Sequence, residues 1–115
     1  MPFINVKVTK ELSSANKEEL KASLAKATAV IGKAETWVMV NIEDKQDIWL
    51  GGKKKESAAY LSAELVGECD EKNSLAFSKA ICDVMESTLS IPSDSVYLVI
   101  KPVEGFHWGW NKQTF

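Results

Sequence analysis

The sequence predicts an α+β fold: duplicated β-α-β units forming a four-stranded mixed sheet with two helices on one face. Three observations carry this expectation. The chain has 115 residues, which suits a single domain over 1–115. Its apolar pattern passes from strand to helix to strand, and then does so again. The two stretches have similar lengths, about 2–57 and 58–115, as an internal repeat requires.

Pro2 to Val8 opens the chain as a strand of mainly apolar residues. Proline suits a first strand position because it has no N–H to contribute to the ladder. Ser13, Ser14 and Asn16 are candidate helix caps, and Asn16 with Glu19 has capping-box spacing. Leu20, Leu24, Ala27 and Ile31 then form one apolar stripe of a helix that ends at Gly32, a left-handed cap. Trp37 to Ile42 is a near-continuous apolar run, the pattern of a covered strand. Trp49-Leu50-Gly51-Gly52 reads as a tight turn, followed by a solvated lysine run at Lys53–Lys55.

The second unit begins with a strand over Ala58–Val66 and a loop over Gly67–Lys72. A helix from Asn73 buries Phe77, Ile81, Val84, Met85 and Leu89, and Pro92 prevents its continuation. Ser95 to Ile100 is the last long strand. One layer of helices leaves the other sheet face open. Trp37, Met39, Val40, Leu61, Val66, Tyr97 and Val99 are expected to supply apolar atoms to that face or its edges, so the chain is expected to oligomerise. The tail from Gly105 to Phe115 is too aromatic for a disordered segment and is expected to dock.

Composition excludes several classes. A formal net charge of −2 with interspersed signs gives no footprint for nucleic acid. No apolar run approaches a membrane span, and no signal-peptide pattern opens the chain, so the expected compartment is the cytoplasm. Cys69 and Cys82 lack metal or redox spacing and read as reduced thiols. His107 is the only histidine, which disfavours a histidine metal cage or a Ser-His-Asp triad. No cofactor or metal is expected.

The chemistry centres on Met1-Pro2. The small second residue marks Met1 for removal by an aminopeptidase, leaving a proline secondary amine that can act as a base. Such an amine must have its pKa depressed to be neutral near pH 7, and apolar surroundings and a nearby cation both act in that direction. Phe3, Trp37, Trp110 and Phe115 are candidates for the apolar walls, and Lys33 for the cation. As a lysine at a helix C-terminus, Lys33 also complements the helix dipole.

Taken in order, Met1-Pro2, Ile31-Gly32-Lys33, Gly51-Gly52, Ile91-Pro92 before Val96-Tyr97, and Gly109-Trp110-Asn111 with Thr114-Phe115 resemble the macrophage migration inhibitory factor family of the tautomerase superfamily. The resemblance covers the whole chain. It implies a homotrimer with active sites between subunits. The implied activity is a keto–enol isomerase acting on small aromatic keto acids or enols of the phenylpyruvate or dopachrome type. Pro2 is then the catalytic base. Lys33 binds a carboxylate or carbonyl oxygen, and Val66 (or Leu65, by another placement of one extra residue) offers a backbone N–H. Tyr97 reaches a neighbour's pocket, Trp110 and Phe115 are pocket aromatics, Trp37 is a rim aromatic, and Trp108 narrows the mouth.

The resemblance also implies the other role known in the family, a cytokine-like trimer that binds a receptor and is exported without a signal peptide. Two departures bear on function. The family's cytokine members carry Cys-x-x-Cys where this chain has Ser57-Ala58-Ala59-Tyr60, so thiol oxidoreduction lacks its dithiol. Some relatives have an asparagine where Val99 stands, so an amide partner for a substrate's ring hydroxyl is missing. Branches of the superfamily that hydrate or dehalogenate place arginines in the pocket, whereas all 14 basic residues here are lysines.

Overall fold

The computed structural model describes residues 1–115 and contains two β-α-β units set side by side. In the first, strand β1 (Pro2–Val8) leads through helix α1 (Ser14–Ala27) to strand β2 (Met39–Glu43). A hairpin of β3 (Trp49–Leu50) and β4 (Lys53–Lys54) follows, turning at Gly51 and Gly52 with φ of 61° and 80°. Those angles are why two glycines stand there. The second unit runs from β5 (Ala59–Val66) through α2 (Glu71–Leu89) to β6 (Val96–Val103). The tail forms a small hairpin of β7 (Gly109–Trp110) and β8 (Gln113–Thr114).

The main sheet has the order β2-β1-β5-β6. β1 runs parallel to β2, β5 runs parallel to β6, and the two units meet antiparallel at β1 and β5. This matches the expected mixed sheet. It also gathers four chain positions at one end: the start of β1, the start of β2, the end of β5 and the end of β6. Pro2 pairs with Leu65, Leu65 with Pro102, and Phe3 with Met39.

The core lies between the sheet and the helices. Ile4, Val6 and Val8 of β1 and Leu61 and Ala63 of β5 point into it. Leu20, Leu24 and Ala27 of α1 and Phe77, Ile81, Met85 and Leu89 of α2 meet them there. The sequence stripes of both helices therefore face the core. Leu61 is fully buried under the helices and Val40 packs against the same core, so neither belongs to the open face as expected. Alternation along the strands leaves Phe3, Asn5, Lys7, Tyr60, Ser62, Glu64, Tyr97, Val99 and Lys101 on that face. It is more polar than the sequence pattern suggests, and Asn41 donates to Asn5 across it at 2.8 Å.

Element ends differ from expectation for local reasons. Ser13, not Asn16, caps α1: its Oγ accepts from the Asn16 N–H at 3.1 Å while Asn16 Oδ1 accepts from the Ser13 N–H. The α-helix then tightens into a 3₁₀ turn over Thr28–Ile31, and Gly32 closes it at φ 73°. Asp70 caps α2 by accepting from the Asn73 N–H at 2.7 Å, so that helix starts before Asn73. Trp37 ends a 3₁₀ turn, Glu35–Trp37, instead of opening β2. β6 continues through Pro102 because it is an edge strand. Val103 C=O accepts from Gly67 N–H on the β5 side, so the imide nitrogen of Pro102 faces outward, where no ladder bond is lost. The tail folds back on itself, with Phe115 N–H donating to Gly105 C=O at 3.1 Å, and meets the domain where Trp110 packs on Trp37, as expected.

Candidate active site

The end of the sheet where Pro2 lies opens into a cleft of about 570 Å³. Pro2 and Phe3 form its floor with Met39 and Glu64, which the ladder sets on either side of Phe3. Thr36, Trp37 and Val38 form one wall, from the turn that precedes β2. His107, Trp108, Gly109 and Trp110 of the tail form the other. Topology explains the meeting. β2 starts at this end because it is parallel to β1, and the tail returns here because β6 ends here.

The aromatic walls brace each other. Trp37 and Trp110 meet edge to face with centroids 5.5 Å apart, and Phe115 stacks on Trp110 at 6.1 Å and 19°. Both arrangements are favoured by the ring quadrupole. Trp37 and Trp110 line the cleft, and so does Trp108. Phe115 does not line it and instead backs Trp110.

Lys33 reaches the same end from the helix layer, because α1 terminates beside the start of β2. Its Nζ donates to Val66 C=O at 2.8 Å. Gly67 N–H donates to Val103 C=O on the β6 side, so strand alternation turns the C=O and N–H of Val66 to the β1 side. The N–H of Leu65 faces β6 by the same alternation. Since Pro2 pairs with Leu65, the residue opposite Val66 is Met1. The terminal amine of Met1 has its pKa held below the ordinary α-amine value, first by burial and second by the Lys33 ammonium.

Tyr97 is not part of this cleft. It lies five residues before Pro102 on β6, about 16 Å along the strand from the Pro2 end. It is 61% exposed and borders a small apolar hollow with Trp49, Leu50 and Tyr60. Val99 is on the open face, two residues further along. The cleft residues that sequence reasoning did not single out are Thr36, Val38, Met39, Glu64 and His107. The β1–β5 register, which sets Glu64 opposite Phe3, is the signal that finds Glu64.

A family model described as macrophage migration inhibitory factor matches residues 1–115. The chain belongs to that family. It is 29% identical over 97 residues to macrophage migration inhibitory factor of Xenopus laevis, a match covering 84% of this chain and 81% of the frog protein. It is 24% identical over the full length of both chains to the homologue from Trichinella spiralis. Among solved structures it is similar to MIF2 of Leishmania major, with a TM-score of 0.87 and 26% identity, covering 100% of this chain and 97% of that one. It also shares the fold of a native fused 4-OT, with a TM-score of 0.87 and 24% identity over 97% of this chain and 94% of the other. The fold and the family thus agree with the expectations from the sequence.

Proposed function

We propose that this protein is a keto–enol tautomerase for small aromatic keto acids of the phenylpyruvate or dopachrome type, with the Pro2 amine as general base after Met1 is removed. The observation that carries the reading is the position of Pro2. It heads a central strand, forms the floor of a tryptophan-walled cleft, and adjoins the Met1 amine, whose pKa burial and Lys33 hold down. A base of lowered pKa is neutral, and so active, near neutral pH.

In the keto-to-enol direction the proton taken from the carbon beside the carbonyl passes to the proline nitrogen and is delivered at the carbonyl oxygen, and the enol-to-keto direction runs the same steps in reverse. Negative charge develops on the carbonyl oxygen in between. Lys33 Nζ, fixed at Val66 C=O, supplies the opposing charge or holds the substrate carboxylate. Removing Met1 also takes away the residue opposite Val66, which leaves the Val66 N–H open to a substrate oxygen. This favours Val66 over Leu65 as the backbone donor. Trp37 and Trp110 hold the aryl group, with Phe115 fixing Trp110 from behind.

Tyr97 enters this reading only through assembly. It is too far from Pro2 of its own chain, and its exposure suits contact with another copy. We therefore propose a homotrimer in which Tyr97 serves a neighbour's cleft; one structural neighbour is itself described as a fused 4-OT asymmetric trimer.

The test is enol-to-keto conversion of phenylpyruvate, followed by absorbance, in the wild type and in Pro2→Gly. We expect the variant to lose most of the activity, since general-base contributions are typically about 10²–10⁴-fold. Equal rates would remove Pro2 from its role, as would full activity in protein whose mass retains Met1.

A further inference from the structure

The cleft contains one charged side chain that the proposed proton transfer does not use. Glu64 lines it together with Pro2 and Phe3. Its place is set by the sheet: it lies opposite Phe3 on β1 and beside Lys101 on β6, on the helix-free face. Within one chain its carboxylate forms no ion pair, with Lys101 or any other cation. The three salt bridges of the chain engage Asp44, Glu18 and Asp47.

A carboxylate without a partner, set among tryptophans, has the chemistry of a cation site. The rings of Trp37, Trp108 and Trp110 line the same cleft; an aromatic face attracts positive charge through its quadrupole, and the carboxylate adds an opposite charge. Lys33 does not itself line the cleft but lies just beyond it, at the end of β5, so the two opposite charges are set apart along one strand. Lys33 is held at Val66, at the end of β5, and Glu64 lies two residues back along the strand, about 7 Å away. A substrate's carboxylate is drawn to the Lys33 end and repelled from the Glu64 end. Its other end is therefore presented to Glu64 and the tryptophans.

We propose that Glu64 is a specificity-determining residue that selects aryl keto acids carrying a positive charge, such as an ammonium group, on the end away from the keto acid. This rests on the reading of Pro2 and Lys33 given above and goes beyond it by naming the second charge of the substrate.

Three probes of similar shape test the proposal: phenylpyruvate, its para-aminomethyl derivative and its para-hydroxymethyl derivative. kcat/KM is measured for each with wild type, Glu64→Gln and Glu64→Asp, and the dissociation constant is read in parallel from quenching of tryptophan fluorescence. We expect the wild type to prefer the aminomethyl over the hydroxymethyl compound by about tenfold. Glu64→Gln should bring that ratio close to one, mainly through KM, and Glu64→Asp, which keeps the charge, should retain part of it. A wild type without the preference, or a Glu64→Gln protein with the same ratio as wild type, would overturn the proposal. The binding ratio separates this outcome from the Pro2 assignment. If Pro2→Gly turns over as fast as wild type, the base is wrong, yet the dissociation constants still report on Glu64. If Pro2→Gly is inactive and the ratios ignore Glu64, only the selectivity claim fails.

Discussion

Replacing Gly105 by alanine tests whether the C-terminal tail closes the cleft. Gly105 does not have a left-handed backbone, so alanine is not excluded by conformation. The obstacle is contact. A Cβ at this position would lie 2.7 Å from Phe115 O, 3.0 Å from its carbonyl carbon and 3.4 Å from its Cβ. These are mainly backbone atoms, so Phe115 must move as a whole. Moving it breaks the Phe115 N–H bond to Gly105 C=O and the stack on Trp110. The first is worth about 1 kcal/mol and the second about 0.5–1.5 kcal/mol. Against this, alanine stiffens the unfolded chain by about 0.4–1 kcal/mol. The net loss is about 1 kcal/mol, or a few degrees in Tm for a chain of this size. The local effect is larger than the global one, because Trp110 loses its backing. Thermal melting, tryptophan emission and the KM for phenylpyruvate should be measured together. We expect a small drop in Tm, a red-shifted emission and a KM raised about three- to tenfold, the equivalent of about 0.7–1.4 kcal/mol. Unchanged melting, emission and KM would show that the tail is not held as described.

Three other outcomes are expected. Lys33→Met removes the second of the two influences that lower the terminal amine's pKa and leaves burial in place; the rise of kcat/KM with pH should move to higher pH, and an unmoved profile would separate Lys33 from the base. Asp44 accepts from Leu12 N–H at 2.9 Å and faces Lys17 at 3.7 Å, which together lower its pKa. A carboxyl lowered in the folded state adds stability above its ordinary pKa and loses it as the pH falls through the lowered value. The Tm difference between wild type and Asp44→Asn should therefore be largest near neutral pH and shrink at pH about 3; a constant difference would contradict the assignment. Phe77 is completely buried at the centre of the core, so Phe77→Ala should cost about 3–5 kcal/mol in denaturant unfolding. A loss below about 1 kcal/mol would mean that the core repacks or that Phe77 is not central.

The architecture was legible because the two periodicities alternate cleanly and glycines stand where the chain turns back. Gly32 and the Gly51–Gly52 pair occupy left-handed positions that sequence alone suggests. What sequence did not reveal depends on relations between distant residues. Ser13 and Asn16 cap α1 by bonding each other, a choice invisible among several neighbouring cap residues. An apolar run such as Trp37-Val38-Met39 does not show where a turn yields to a strand. Pro102 looks like a strand terminator until β6 is known to be an edge. At the site, Pro2, Lys33, Trp37 and Trp110 were legible from residue chemistry and resemblance. Glu64 and Met39 were not, because only strand register brings them beside Phe3. Tyr97 lies apart from Pro2 within one chain, which no one-dimensional reading can show.

One end of the chain lies on the floor of the cleft and the other braces its wall from behind. Met1 and Pro2 lie on its floor, and the tail that ends in Phe115 forms and braces one side. For anyone handling the protein, neither end is a neutral place to attach something. A tag before Pro2 would acylate the proposed base, and one after Phe115 would crowd the stack on Trp110. The permissive point is internal: the Gly51–Gly52 hairpin is exposed and carries no cleft residue. A reporter inserted there should leave turnover intact, while one before Pro2 should abolish turnover and one after Phe115 should raise KM.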